Sequence, residues 1–408
     1  MTEFTGVPVR RERRKSQRLN EIIEAGARLM CGGGFENTGV ADVTREVGIT
    51  ASALYRHVSS KQKLLEIILD RRFLDYESAL DECHGWKNVA EVLTPIATTH
   101  RDLGVLWQRE ARNLPESAYA SLASRLRMVA KRISGNIDEP AGRPTAIARA
   151  WATISVLISL SYHDTKMSET RLQALMRQLI LGVGADSPRS SRDLEWSGEK
   201  IATVSARTVE DDELDSTDRA IVEAAAKLYG TRGYHKVSME ELGQAVGMAG
   251  PSIYYRYTSK GAVLAAVLGR ANARLSADAS AALKTATDDC GAMRALLNSY
   301  ARLVTHEPHI VEALLSEIPH LADDERQPAV DSWVRYVKTW GRQLRKCYPE
   351  VTPAEASVRV HAAMTIVNDL SRTYSTRAEL SVGELCGLAW SALVAGLPAD
   401  SDEKPAHR

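Results

Sequence analysis

Two stretches decide the reading: Ile22 to Lys61, IIEAGARLMCGGGFENTGVADVTREVGITASALYRHVSSK, and Ile221 to Lys260, IVEAAAKLYGTRGYHKVSMEELGQAVGMAGPSIYYRYTSK. They align without a gap at an offset of 199 (221 − 22), and eleven positions are identical, from Ile22/Ile221 to Lys61/Lys260. Others exchange like for like, such as Arg28/Lys227, Phe35/Tyr234 and Ile49/Met248. A fainter likeness continues downstream, where Glu110–Leu114 lines up with Glu317–Leu321 and Arg149–Val156 with Arg359–Ile366. The 408-residue chain is therefore one unit of roughly 190 residues written twice, and finding the repeat first fixes the architecture.

Within each copy the apolar residues follow a helical period. Leu19, Ile22, Ile23, Leu29 and Met30 make one face of a first helix, matched by Ile221, Val222, Ala225, Leu228 and Tyr229. Glycines follow, Gly32 to Gly34 in one copy and Gly230 and Gly233 in the other, where a left-handed C-cap is easiest. Ser238 and Glu241 predict a capping box on a short second helix, and Gly39 makes a weaker start in copy 1. Gly48 and Gly247 then turn the chain into a third helix of about two turns, with Thr50 as N-cap in one copy and Pro251 in the first turn of the other. Two short helices joined by a glycine turn, after a longer one, predict a helix-turn-helix. The fold class expected is all-α.

The composition is that of a folded chain, 25% charged and 44% hydrophobic, with 52 basic residues cancelling 52 acidic ones. Neutrality over the whole chain is the wrong scale for judging a DNA partner. Residues 1–18 carry six basic and two acidic side chains, while Glu210 to Asp215 is almost wholly acidic. Five scattered cysteines without a C-x-x-C pair argue against a disulfide scaffold or zinc ribbon and for a reducing, cytoplasmic setting. No apolar run is long enough to span a bilayer, so no membrane association is expected. No P-loop, dinucleotide fingerprint, G-x-S-x-G or H-E-x-x-H is present, so neither an enzyme nor a cofactor is expected. His306 and His309 flank Pro308 and are not expected to share a helical face, so no metal site is expected.

The pattern G-[FY]-x(4)-[VM]-x(2)-[VL]-x(3)-V-G-[IM]-x(4)-[LI]-Y-x(4)-S-K occurs twice and resembles the DNA-binding domain of the TetR/AcrR family. The resemblance implies a three-helix DNA-binding head on a helical ligand-binding and dimerisation body, here in tandem. It places a basic arm at 1–17, a first head at 18–66, a first body at 67–185, a linker at 186–214, a second head at 215–265, a second body at 266–398 and a tail at 399–408.

Carried over by motif position, the resemblance makes Tyr55, His57 and Lys61, with Tyr254, Arg256 and Lys260, phosphate-contact candidates. Thr38 and Ser238 add hydroxyls, and Thr50, Ser52 and Arg56 with Ser252 and Tyr255 are base-edge candidates. Leu54 and Ile253 are expected in the core, and Val58, standing where Tyr257 stands in copy 2, predicts a looser corner.

The family's effector pocket maps to the middle helices. Trp107, Trp333, Tyr336 and Trp340 are candidate apolar walls, and Glu110, Arg112, His163, Asn368 and Asp369 candidate polar anchors. Pairing is expected through Arg149–Ser161 and Leu172–Gly182 of copy 1 and Arg359–Thr373 and Val382–Gly396 of copy 2.

The expected function is a ligand-responsive regulator, a repressor by the family's usual mode, released by a small apolar, lipid-like effector. It would read double-stranded DNA, as a monomeric pseudo-dimer or a homodimer, at a non-palindromic operator. The alternative is a helical sensor that keeps the scaffold and has lost operator binding.

Overall fold

A computed structural model describes residues 7–137, 145–184, 215–373 and 380–398. The expected linker at 186–214 and the tail at 399–408 lie outside the described residues. The chain divides into two compact units, Met1–Glu82 with Thr99–Val129, and Cys83–Thr98 with Ala130–Arg408.

The first unit is built on α1 (Val7–Gly33), α2 (Val40–Val47), α3 (Ala51–Tyr55) and α4 (Lys61–Ala79). The basic run Arg10–Lys15 therefore lies in the first turns of α1. Ile22, Ile23, Ala27 and Met30 of α1 are buried, the larger apolar side chains contributing roughly 1.5–3 kcal/mol each. Gly34 at φ 85° ends that helix and Gly48 at φ 69° turns α2 toward α3, both in the left-handed region that only glycine occupies cheaply. The third helix is five residues, shorter than the two turns expected. After α4 the unit continues through short helical turns Leu103–Val105, Leu106–Glu110 and Ala111–Asn113. Arg72, buried on α4, forks onto Glu24 at 2.8 Å through both guanidinium nitrogens and reaches Asp102 at 3.0 Å.

The second unit begins with α5 (Trp86–Thr99, whose last residue belongs to the first unit), and α6 (Glu116–Ser134) passes from the first unit into it. Then come α7 (Ala146–Ile158) and α8 (Glu169–Gly184). The second head follows as α9 (Ser216–Arg232), α10 (Met239–Ala245) and α11 (Gly250–Tyr254). The expected capping box forms: the Glu241 amide donates to Ser238 Oγ at 3.2 Å, and the Ser238 amide donates to the Glu241 carboxylate at 2.8 Å. The rest is α12 (Lys260–Thr285), α13 (Asp289–His306), α14 (Pro308–Ser316), α15 (Asp323–Cys347), α16 (Pro353–Arg372) and α17 (Val382–Leu393). His306 and His309 fall on separate helices, α13 and α14.

Within this unit α7 packs on α16 and α8 on α17, while α7 with α8 and α16 with α17 also pair. Helices from both repeats thus share one core. Two aligned arginines close it alike. Buried Arg149 on α7 donates to the carbonyls of Val183 and Gly184 at the end of α8, and buried Arg359 on α16 donates to those of Leu393 and Ala395 at the end of α17, at 3.0 and 2.9 Å. Cations suit helix C-termini, where carbonyls have no partner in the helix. Burial holds the Arg359 guanidinium down to about 10. Thr165 meets Ser357 at 3.1 Å and Arg171 meets Glu355 at 3.0 Å across the two repeats.

One cross-link goes beyond what the cysteine spacing signals. Cys290 at the start of α13 and Cys347 at the end of α15 form a disulfide, their Cα atoms 4.9 Å apart. Fifty-seven residues separate them, and only the packing of α13 on α15 brings them together. Cys31, Cys83 and Cys386 are free thiols.

Candidate nucleic-acid interface

Each head presents its third helix outward from a buried hinge. Leu54 and Ile253 point into the cores at 2% and 0% exposure, as the pattern requires. Val58 is buried whereas Tyr257 is half-buried. Tyr55 and Tyr254 are exposed, and Tyr255 stands almost wholly in solvent at 92%. Ser52 and Arg56 are exposed, whereas His57 and Ser252 are half-buried. Thr50 is exposed but caps α3, its Oγ1 accepting from the Ala53 amide at 3.3 Å. The two outward faces differ: Thr50, Ser52 and Arg56 align with Ala249, Pro251 and Tyr255.

Four hydroxyl and ammonium candidates are held by the protein itself. Thr38 is buried and its hydroxyl donates to the Gly34 carbonyl at 2.8 Å, which takes it out of reach of a phosphate. Ser238 Oγ caps α10. Lys61 Nζ donates to the Phe35 carbonyl at 2.8 Å and lies 4.2 Å from the centre of the Phe35 ring. Lys260 repeats this arrangement on Tyr234, donating to the carbonyls of Tyr234 and Val237 at 3.0 Å, and burial pulls its ammonium down. Both lysines therefore lock the turn between the first two helices. Sequence spacing alone could not separate that role from a phosphate contact.

Beneath each turn sits a buried carboxylate. Glu110, expected as a ligand anchor, accepts from the Phe35 amide at 2.9 Å and pairs with Arg109, which also reaches the Cys31 carbonyl at 2.7 Å. Its aligned partner Glu317, fully buried, accepts from the Tyr234 amide at 3.2 Å. Each copy thus ties the end of its first helix to the body through one carboxylate. The repeat alignment carried that signal in Glu110/Glu317, and only the contact revealed its meaning.

The remaining pocket candidates do not converge on one cavity. Trp107 stacks on Tyr119 and meets Phe73 edge-on, in the first unit. Arg112 is half-buried on the turn Ala111–Asn113 of the same unit. In the second unit Trp333, Tyr336 and Trp340 pack with Tyr300 as an aromatic cluster, Trp340 being fully buried. Asn368 accepts from the Tyr300 hydroxyl at 2.9 Å, Asp369 pairs with Arg372 at 3.0 Å, and His163 lies against His361. Tyr336, Trp340, Asn368 and Asp369 are buried, whereas Trp107, Arg112, His163 and Trp333 are half-buried. A groove of about 490 Å³ instead runs along α12 and α13, with Ala281, Ala282 and Ala295 in its wall and Arg274, Asn298 and Arg302 among its polar groups. Among the described residues no group of three or more histidine, cysteine, aspartate or glutamate side chains is placed to hold a metal ion, and no helix is long and apolar enough to cross a membrane.

The class so defined is an all-α protein carrying two helix-turn-helix heads. Residues 22–68 and 221–267 both match the model of bacterial regulatory proteins, tetR family. Each repeat thus carries one match to that family's N-terminal domain, at the position of its helix-turn-helix head. Over 84 residues it is 31% identical to the HTH-type transcriptional activator FasR of Mycolicibacterium smegmatis, a match covering 21% of this chain and 38% of that relative. Among solved structures it is similar to the TetR family regulator PfmR from Thermus thermophilus, at 23% identity and a TM-score of 0.38, covering 43% of this chain and 96% of the other. It is also similar to the ketosteroid transcriptional regulator KstR2 of Mycobacterium tuberculosis, at 17% identity and a TM-score of 0.38, covering 47% and 97%.

Proposed function

We propose that this chain is a cytoplasmic, ligand-responsive repressor that binds double-stranded operator DNA through two unlike heads, folded as an intrachain pseudo-dimer. The observation that carries this reading is the unlikeness of the outward faces of α3 and α11: Arg56 can fork onto a guanine edge, whereas its counterpart Tyr255 has no bidentate mode. Two identical reading helices require a palindrome, and two different ones do not. The packing of α7 and α8 on α16 and α17 supports the pseudo-dimer, because it buries the pairing faces of both repeats within one chain.

Tyr55, Arg56 and His57, with Tyr254 and Tyr255, are the side chains proposed to meet DNA. The effector is proposed to be small and apolar, with the groove on α12 and α13 as its site, where Ala281, Ala282, Ala295 and Leu303 would take the apolar part and Arg274 and Arg302 a polar end. The tandem layout resembles that of the mycobacterial repressor of a mammalian-cell-entry operon, and a lipid-linked set of target genes is proposed on that resemblance.

Gel shifts on the chain's own upstream DNA, with each half-site mutated or duplicated, test the reading. An asymmetric site should bind best. A symmetric palindrome of either half-site that binds as tightly would refute it.

A further inference from the structure

The phosphate candidates of the two heads are not equally placed. Arg256 of the second head turns back onto the first helix of that head, its Nη1 lying 2.5 Å from Asp215 Oδ2 and 3.1 Å from Asp218 Oδ1. Both carboxylates sit at the start of α9. Asp215 is its N-cap, accepting from the amides of Thr217 and Asp218 at 2.8 and 2.9 Å, and Asp218 lies in the first turn. Asp215 is thus fixed by the helix start and cannot swing away without uncapping it.

In the first head the aligned positions are Ser16 and Leu19, neither of which carries charge, and His57 stands where Arg256 stands. Arg56 and Arg256 are both exposed, but no described carboxylate pairs with Arg56 or His57.

We propose that Asp215 and Asp218 are affinity-setting residues that hold Arg256 against the protein and away from phosphate, so that the first head supplies the larger share of backbone binding. This rests on the DNA-binding reading above. A phosphate approaching Arg256 must displace two carboxylates or lie beside them, and like charges at that range repel it.

The test measures binding of the full chain to its own upstream duplex by fluorescence anisotropy across a salt series. The variants are D215N/D218N, R256A, R56A and the triple D215N/D218N/R256A. Asparagine keeps an oxygen for the α9 cap, and D215S, which copies the Ser16 of the first head, gives a second route; far-UV circular dichroism checks that each variant is folded.

Releasing Arg256 to neutralise one further phosphate should steepen the slope of log K against log [salt] by about 0.9, roughly a 3.5-fold difference between 50 and 200 mM salt. R256A should cost at least about threefold more affinity in the D215N/D218N background than in the parent, the coupling that a double-mutant cycle reads. Equal losses in the two backgrounds would overturn the proposal, as would a gain in D215N/D218N that survives removal of Arg256. A parent chain showing no salt-dependent binding at all would instead sink the DNA-binding reading on which the proposal stands.

Discussion

Gly182 is the sharpest handle on how the repeats meet. It lies in the last turn of α8, and a Cβ placed there would stand 2.6 Å from the Ala395 Cβ and 2.7 Å from the Ser391 carbonyl oxygen. Nonbonded carbons rest at about 3.5–4.0 Å, so Gly182→Ala forces α8 and the end of α17 apart by about 1 Å. Overpacking of this kind costs roughly 1–3 kcal/mol. Alanine's better helix propensity returns at most about 1 kcal/mol, and less this near a helix end. The net expectation is a loss of about 1–2 kcal/mol.

Gly269 provides the opposite case. It is exposed in the middle of α12, and a Cβ added there would meet nothing within 4 Å, so Gly269→Ala should stabilise by about 0.5–1 kcal/mol. Thermal unfolding of the full chain, followed by far-UV circular dichroism, reads both. One kcal/mol corresponds to about 2–4 °C at 150–250 residues, and less in a larger cooperative unit. A Gly182→Ala protein that melts at or above the parent temperature would refute the close approach of the two repeats, whatever Gly269→Ala does.

Two further perturbations test the interior. Arg72 holds the Glu24 carboxyl below the ordinary carboxylate range chiefly by hydrogen bonding. A depressed native pKa stabilises above the unfolded value of about 4.3 and is lost as pH falls through the native one. Arg72→Met should therefore cost about 1–3 kcal/mol at pH 7, toward the lower end because Glu24 is half exposed, and less at pH 3.5. Equal losses of urea midpoint at the two pH values would contradict the assignment. For the second unit, a cross-link spanning 57 residues is worth about 4 kcal/mol by loop-closure entropy, so reduction or Cys290→Ser with Cys347→Ser should lower its melting temperature by several degrees. An unchanged melt would show that the bond does not constrain the unfolded chain.

What could be seen in the sequence was whatever is encoded locally. The repeat, the glycine turns at Gly48 and Gly247, the Ser238–Glu241 cap and the inward Leu54 and Ile253 all depend on neighbours within a few residues. What could not be seen depends on partners far along the chain. Lys61 and Lys260 carry the charge and position of phosphate contacts, yet each ammonium turns inward to a carbonyl 26 residues upstream. Trp340 keeps helical spacing with Trp333 and Tyr336 whether it walls a pocket or fills a core, and the Tyr300 ring packed on it is not visible from that spacing. The Cys290–Cys347 bond likewise follows from helix packing, not from cysteine spacing.

The same limit explains why the two heads look interchangeable as motifs and differ as surfaces. The family pattern fixes the buried and turning positions, which both copies share. It leaves open the positions that face outward, and there Arg256, exposed like Arg56, is drawn onto Asp215 and Asp218. Duplication within one chain frees the second head from having to match the first, because a single polypeptide need not read a symmetric site. Divergence is therefore expected on the outward faces and not in the hinges, and the retained pairs Phe35–Glu110 and Tyr234–Glu317 meet that expectation.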